Sequence, residues 1–473
     1  MLQRRAKVTR ILLSTVALIV SAGTAVATAD EPPVSPPELY RATSGSANLA
    51  ADGYNGAGVT VAVIDTGVAD VPGMHGKVIH QENLSSAPDA GDQYGHGTFV
   101  AGVVHAAAPQ AEIVSIKLSD ANGSVDVTQV LAALQWVIAN KERFSIDVVN
   151  LSFGNDSKQS AYLSPLNFAV QQVWDNGIVV VASAGNLGGA AGTVTKPADD
   201  PLIISVGATN ENGTPVRSDD DIPTFVSRGP TQDGLAKPDL VAPGTRLVSL
   251  RAPGSTVDLA NPQARVGEEG FRGSGTSFAA PLVTGVVAQI LGADPTLTPN
   301  QVKYGLLNGA SPVQGDPAAQ GAGTVRAART LNFARQGQAN GNVRRSTGTG
   351  GLDDARGSAK VKVATKVRTL TGGSKDVVVP VTGERTAEVP PTLADAPVVG
   401  LVLDVLDLST ETLDPYREGE FLDRSTWDAS SWGASSWGAS QWGASSWGAS
   451  SWGASSWGAS SWGSSQWWAS SWG

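Results

Sequence analysis

Cysteine is missing from all 473 residues. Disulfides, cysteine-ligated zinc and thiol catalysis are excluded at once, so the fold must hold on buried apolar surface without covalent staples. Methionine is nearly missing too, with Met1 and Met74 the only two. Histidine occurs four times, at His75, His80, His96 and His105, which leaves imidazole chemistry few places to sit. Basic residues are outnumbered, 33 Lys and Arg against 43 Asp and Glu, for a net charge of −10. Nucleic acid usually needs a basic face and is not an expected partner. Long apolar runs are also lacking: residues 11–20 are short for a bilayer span of roughly 20 residues. The most apolar late run, 397–408, is broken by Asp404 and Asp407. No transmembrane anchor is expected.

Residues 1–29 read as an export signal. Arg4, Arg5, Lys7 and Arg10 lead the apolar run, and Ala27-Thr28-Ala29 makes a small-residue cleavage pattern. The expected location is outside the cell. Residues 30–36 are proline-rich and read as an extended arm; 37–57 are small and polar and lead into the domain.

From there strands and helices alternate. The β-branched run 59–64 suits a strand buried on both faces of a parallel sheet. Strands are expected at 112–118, 146–151, 178–182 and 202–206, with helices at 126–140 and 160–176 and a small-residue helix following His96. The apolar run 282–291 reads as a buried helix, with Pro281 near its fourth position, where a missing N–H costs little. Thr298-Pro299 caps a helix to about 308, and 325–334 closes the domain. This alternation implies an α/β fold with a parallel sheet covered by helices on both faces, over residues 37–335.

Residues 336–424 change character and read as a spacer, in which 377–381 and 398–406 could pair as strands. Residues 425–473 are a low-complexity repeat, Trp-Gly-Ala-Ser-Ser with variants, carrying tryptophan every fifth residue from Trp427 to Trp472 plus Trp468. Five is an odd step in a strand and about 500° in a helix, so neither collects the rings on one face.

Three segments carry chemistry. Asp65-Thr66-Gly67 ends the first strand, and chemistry in open α/β sheets gathers at carboxyl strand ends. His96 stands in Tyr94-Gly95-His96-Gly97-Thr98, where flanking glycines let another backbone come close. Ser277 stands in Gly275-Thr276-Ser277-Phe278-Ala279-Ala280-Pro281, at a helix N-terminus whose free N–H groups suit a developing oxyanion. The other three histidines are read as structural. Together these residues suit acyl transfer: Ser277 as nucleophile, His96 as base, Asp65 fixing the imidazole. Asn186, in a glycine-containing turn after a strand, can offer an oxyanion donor. The order Asp, His, Ser is that of subtilisin, and no G-x-S-x-G elbow occurs.

The three signatures resemble those of the subtilisin-like serine proteases, the subtilases. Ala184-Gly185-Asn186, Ser227-Arg228-Gly229-Pro230 and the segment 237–244 are similar to further subtilase segments. The resemblance covers about residues 37–335. It implies a secreted endopeptidase acting on protein or peptide substrates, catalytic residues Asp65, His96 and Ser277, and Asn186 at the oxyanion. It also implies a cleft lined by Asn122-Gly123-Ser124 and Ser152-Phe153-Gly154, with Leu187 beside it.

Three departures stand out. Phe278 replaces the usual Met, Leu282 the usual His, and the loop for a tight calcium site after Gly102 is absent. No cofactor is required for the chemistry and no metal ligand set is assigned, although structural calcium elsewhere is compatible with the sequence. The stretch 30–57 is too short for the usual folded pro-region. Two other readings fit parts of the chain: a mycosin-like processing protease, and a surface-attached binding protein centred on the tail. The tail is expected to bind cell-wall glycan or to self-associate.

Overall fold

The computed structural model describes residues 33–188 and 191–358, with the backbone of short strands at Lys362–Arg368, Ser374–Pro380 and Ser436–Trp437. The expected export signal, most of the spacer and most of the tail lie outside the described residues.

Seven parallel strands form the central sheet: β1 (Thr60–Asp65), β2 (Val78–Asn83), β3 (Glu112–Lys117), β4 (Ile146–Leu151), β5 (Val179–Ser183), β6 (Ile204–Thr209) and β7 (Leu240–Pro243). Their order is β2-β3-β1-β4-β5-β6-β7. Every residue of β1 is buried, as expected for a Val/Ile/Thr run covered on both faces. β1 sits where the chain reverses direction across the sheet, pairing with β3 on one side and β4 on the other. Its carboxyl end lies at that switch point, the place where open α/β sheets set their ligand crevices.

Helices α1 (Pro37–Ser44) and α2 (Ser46–Ala51) precede the sheet. α3 (His96–Ala107), α4 (Val127–Phe144) and α5 (Pro165–Asp175) are the crossovers. α6 (Thr256–Ala260) is short, and α7 (Thr276–Ala293) is the central helix. α8 (Pro299–Gly309), α9 (Pro317–Gln320) and α10 (Ala327–Ala334) close the domain, followed by one turn, α11 (Leu352–Ala355). α3 and α7 pack together against the sheet and α4 and α5 pack together on its other face. A small antiparallel group, β8 (Leu247–Leu250), β9 (Arg265–Val266) and β10 (Gly270–Ser274), leads into α7.

α7 is the one helix among the described residues long and apolar enough to cross a membrane, and 89% of it is buried in the domain as its core helix. Pro281 is its sixth residue, not the fourth as expected, so the helix forgoes the bond that a residue there would make to the Ser277 carbonyl. Other expectations need correction. Residues 37–57 hold two short helices, with Pro37 first in α1 and Gly45 in the left-handed conformation ending it. α4 runs to Phe144 because Lys141, Glu142 and Arg143 form a polar turn that hides the apolar spacing. Its start is set by a capping box: Asp126 accepts from the Thr128 N–H at 3.0 Å and Gln129 reaches back to the Asp126 N–H at 2.9 Å. α5 starts at Pro165 with Ser164 as its cap, so 160–164 form a turn outside the helix.

Packing also continues past 335. The Ser346 hydroxyl donates to the Ser164 carbonyl at 3.0 Å and Arg356 pairs with Asp126 at 2.7 Å. Described structure therefore runs to 358 as part of the same body. Residues 374–380 pair antiparallel with 362–368; the expected partner run 398–406 lies outside the described residues. At the other end, the arm residue Ser35 runs beside β8, donating its N–H to the Arg246 carbonyl and accepting from Val248 N–H, both at 2.9 Å.

Candidate active site

Asp65 is the last residue of β1 and His96 the first of α3. The His96 Nδ1–H donates to Asp65 at 2.9 Å to Oδ1 and 3.2 Å to Oδ2, and both side chains are buried. The approach is close because Gly97 has no side chain: a Cβ there would lie 2.1 Å from the Gly67 carbonyl oxygen. Asp65 also accepts from the Thr66 N–H at 2.8 Å. Burial pushes the Asp65 carboxyl above its ordinary range, against the lowering effects of His96 and the Thr66 N–H.

Ser277 is the second residue of α7, and its two neighbours anchor it from opposite sides. Thr276 donates its N–H and its hydroxyl to Asn186 Oδ1, at 2.8 and 2.9 Å, and its hydroxyl accepts from the Gly185 N–H at 3.1 Å. With Oδ1 so occupied, the orientation of the Asn186 amide is fixed and Nδ2 is its donating end. On the other side the Phe278 ring packs against His96, with centroids 5.3 Å apart, and against Phe99 at 4.3 Å. The residues on either side of Ser277 thus contact the Asn186 amide and the His96 ring.

Sequence reading passed over the layer beneath. Asp92, four residues before His96, accepts from the Thr66 hydroxyl at 2.8 Å, the Gly95 N–H at 2.7 Å and the Thr98 N–H and hydroxyl at 2.8 and 2.6 Å. The Thr66 hydroxyl in turn accepts from the Gly97 N–H at 2.8 Å. Lys117, paired with Asp65 across β1 and β3, donates to the Thr66 carbonyl at 3.2 Å and to Gly91 O and Gln93 Oε1. Burial lowers the Lys117 pKa, and the carboxylates of Asp92, Asp89 and Asp120 oppose that shift. An acid just before a helix start was a readable signal for Asp92. Lys117 had none, because its role depends on strand register.

A model of the subtilase family matches residues 56–327. The chain belongs to the subtilase family.

The family is one of serine endopeptidases. Among its curated relatives, serine protease AprX of Bacillus subtilis is 36% identical over 294 residues, covering 58% of this chain and 66% of AprX, just under two thirds of its length. Subtilisin DY of Bacillus licheniformis is 33% identical over 287 residues, covering 58% of this chain and 91% of the relative. A solved structure, of a cold-adapted subtilisin-like serine proteinase, matches at 30% identity with a TM-score of 0.44, covering 56% of this chain and 88% of that one.

In this subtilase the expected cleft segments follow the strands beside β1. Asn122-Gly123-Ser124 lies beyond β3, with Asn122 exposed and Ser124 half-buried. Ser152-Phe153-Gly154 follows β4 directly. The Phe153 ring belongs to the apolar core, so this segment offers its backbone more than its side chain to a ligand. Leu187 is half-buried, its N–H held by the Ser227 hydroxyl at 3.0 Å. The other histidines stand apart from the subtilase site: His75 pairs with Asp70 on the surface, and His80 stacks on Trp136 and Phe144 beside Glu82. His105 is held below its ordinary pKa by burial. Among the described residues no group of three or more His, Cys, Asp or Glu could hold a metal ion. α3 and β3 are joined by residues 108–111 alone.

Proposed function

We propose that this chain is an exported serine endopeptidase working through Asp65, His96 and Ser277. The observation that carries the reading is the enclosed His96–Asp65 pair set beside the N-terminus of α7, whose second residue is Ser277. Asp65 takes the Nδ1–H, which leaves Nε2 as the basic nitrogen. His96 accepts the Ser277 proton as the hydroxyl attacks a peptide carbonyl, and returns it to the leaving amine. The oxyanion is met by Asn186 Nδ2 and the Ser277 N–H. Water then cleaves the acyl-enzyme by the same route in reverse.

An extended peptide adds as a strand between 122–124 and 152–154. Leu187 brings no charge to the cleft, which favours cleavage after large apolar residues over Arg or Lys. Export follows from the signal pattern in 1–29, and the tryptophan repeat holds the enzyme at the cell surface by binding wall glycan. Labelling with a fluorophosphonate tests the core of this reading: the wild-type chain takes the label and Ser277→Ala does not. A wild-type chain that stays unlabelled overturns it.

A further inference from the structure

The segment after the domain's last long helix does not simply leave the body. Residues 350–358 fold back onto the body and contact the residues that directly follow both expected cleft segments. On the β4 side, the Asn155 amide donates to the Ala355 carbonyl at 2.9 Å, and the Ser157 hydroxyl to the Asp354 carbonyl at 2.6 Å. Asn155 is the residue directly after Ser152-Phe153-Gly154. On the β3 side, Arg356 Nε donates to Asp126 Oδ2 at 2.7 Å, and Nη2 to Oδ1 at 3.4 Å. Asp126 stands two residues after Asn122-Gly123-Ser124, and it also caps α4. Arg356 and Asp126 are only 7% and 5% exposed, and Ala355 is fully buried. The pair is a desolvated, two-contact ion pair and not a surface decoration. A Cβ on Gly357 would lie 2.3 Å from Asp156 Oδ1, so the strap is pressed against the β4-side loop.

We infer that this strap spans the far end of the substrate cleft and that Arg356 is a positioning residue for peptide residues lying N-terminal to the bond that is cut. The inference rests on the protease reading above. By fixing Asp126, Arg356 holds the end of the 122–125 loop at a set distance from Asn155–Ser157, on the opposite edge. A peptide long enough to lie between these edges gains from that spacing, whereas a short one ends before it reaches them.

The test is a series of peptide amides with the same residue before the scissile bond, carrying two or five residues on that side. For wild type the longer peptide has the higher kcat/KM. Arg356→Ala reduces the long-to-short ratio roughly 5- to 10-fold, through KM more than kcat. Arg356→Lys restores part of it. Because a lone buried charge can unfold a variant, the double change Asp126→Asn with Arg356→Met repeats the test: it keeps a capping residue and removes both charges of the buried pair, leaving only the partly exposed Asp353 without its 3.8 Å contact to Arg356, and the same loss of ratio is expected. Variants that retain the wild-type ratio overturn the strap while fluorophosphonate labelling of wild type leaves the protease reading standing. A wild type that takes no label ends both.

Discussion

The side chains proposed to do the chemistry are each held by neighbouring residues. Asn186 is oriented through Thr276, and His96 through Asp65 on one side and the Phe278 ring on the other. Asn186→Ala should therefore cut kcat by roughly 10²–10³ and leave KM nearly unchanged, because the amide acts on a charge present only in the transition state. Steady-state kinetics on one peptide decides this, and a change confined to KM would reassign Asn186 to binding. Ser277→Ala and His96→Ala should each lower turnover by about 10⁶, the size known from subtilisin itself, with the double variant hardly worse. Additive losses in single-turnover assays would show that the two do not act as a unit. Phe278 puts no thioether next to the nucleophile, and Met74 is buried at 3% exposure. Activity should survive a peroxide dose that inactivates a subtilase with Met at that position. The candidate catalytic residues were readable from sequence because each stands in a short glycine-containing segment at an element boundary: Asp65 ends an apolar strand run, His96 opens a small-residue helix and Ser277 opens an apolar one. Asp92 offered only the weak signal of an acid just before a helix start, and Lys117 offered none, since it becomes a neighbour of Thr66 only when β1 and β3 pair.

Local elements follow their signals where a cap, a proline or a period is present, and depart where polar residues mask them. β1 was plain because both its faces are covered. α1 carried its proline and glycine marks, but eight residues of mixed polarity gave no period to read. The strap at 350–358 was invisible, because its partner Asp126 lies 230 residues away. The acidic turn at 219–221 has a consequence that composition alone did not reveal. Burial, reinforced by Glu211 and Asp219, pushes the Asp220 carboxyl up to about 7. Its Oδ1 has no hydrogen-bond partner, and Glu211 beside it is engaged by the hydroxyls of Ser35 and Thr43. A carboxyl whose pKa is raised on folding adds stability that is complete below its unfolded value near 3.8 and is lost as pH climbs through about 7. Asp220→Asn should thus raise the melting temperature by about 2–4 °C at pH 8 and leave it nearly unchanged near pH 4. Calorimetry at the two pH values checks it, and an equal shift at both would remove ionisation as the cause.

The molecule as a whole is one body to residue 358, with the tryptophan repeat far beyond it in sequence. Deleting 425–473 should leave hydrolysis of soluble peptides intact and abolish sedimentation with insoluble cell-wall material, since repeated weak ring contacts act through avidity. Equal sedimentation of both chains would remove the wall as the target, and oligomers formed only by the full chain would assign the repeat to self-association. The placement of α7 has a different kind of consequence. The helix that presents Ser277 is also the spine about which the sheet and α3 are assembled, buried along almost its whole length. Its first turn cannot keep its aim once its body loosens. On the protease reading proposed above, a copy that has begun to open at the centre is disarmed as a cutter at the moment its own backbone becomes available for cutting. Opened copies are then cut by intact ones, a two-body step: while reclosing outruns cutting, the irreversible loss of activity on heating should grow with the square of the total concentration, and it should turn first-order only where cutting outruns reclosing.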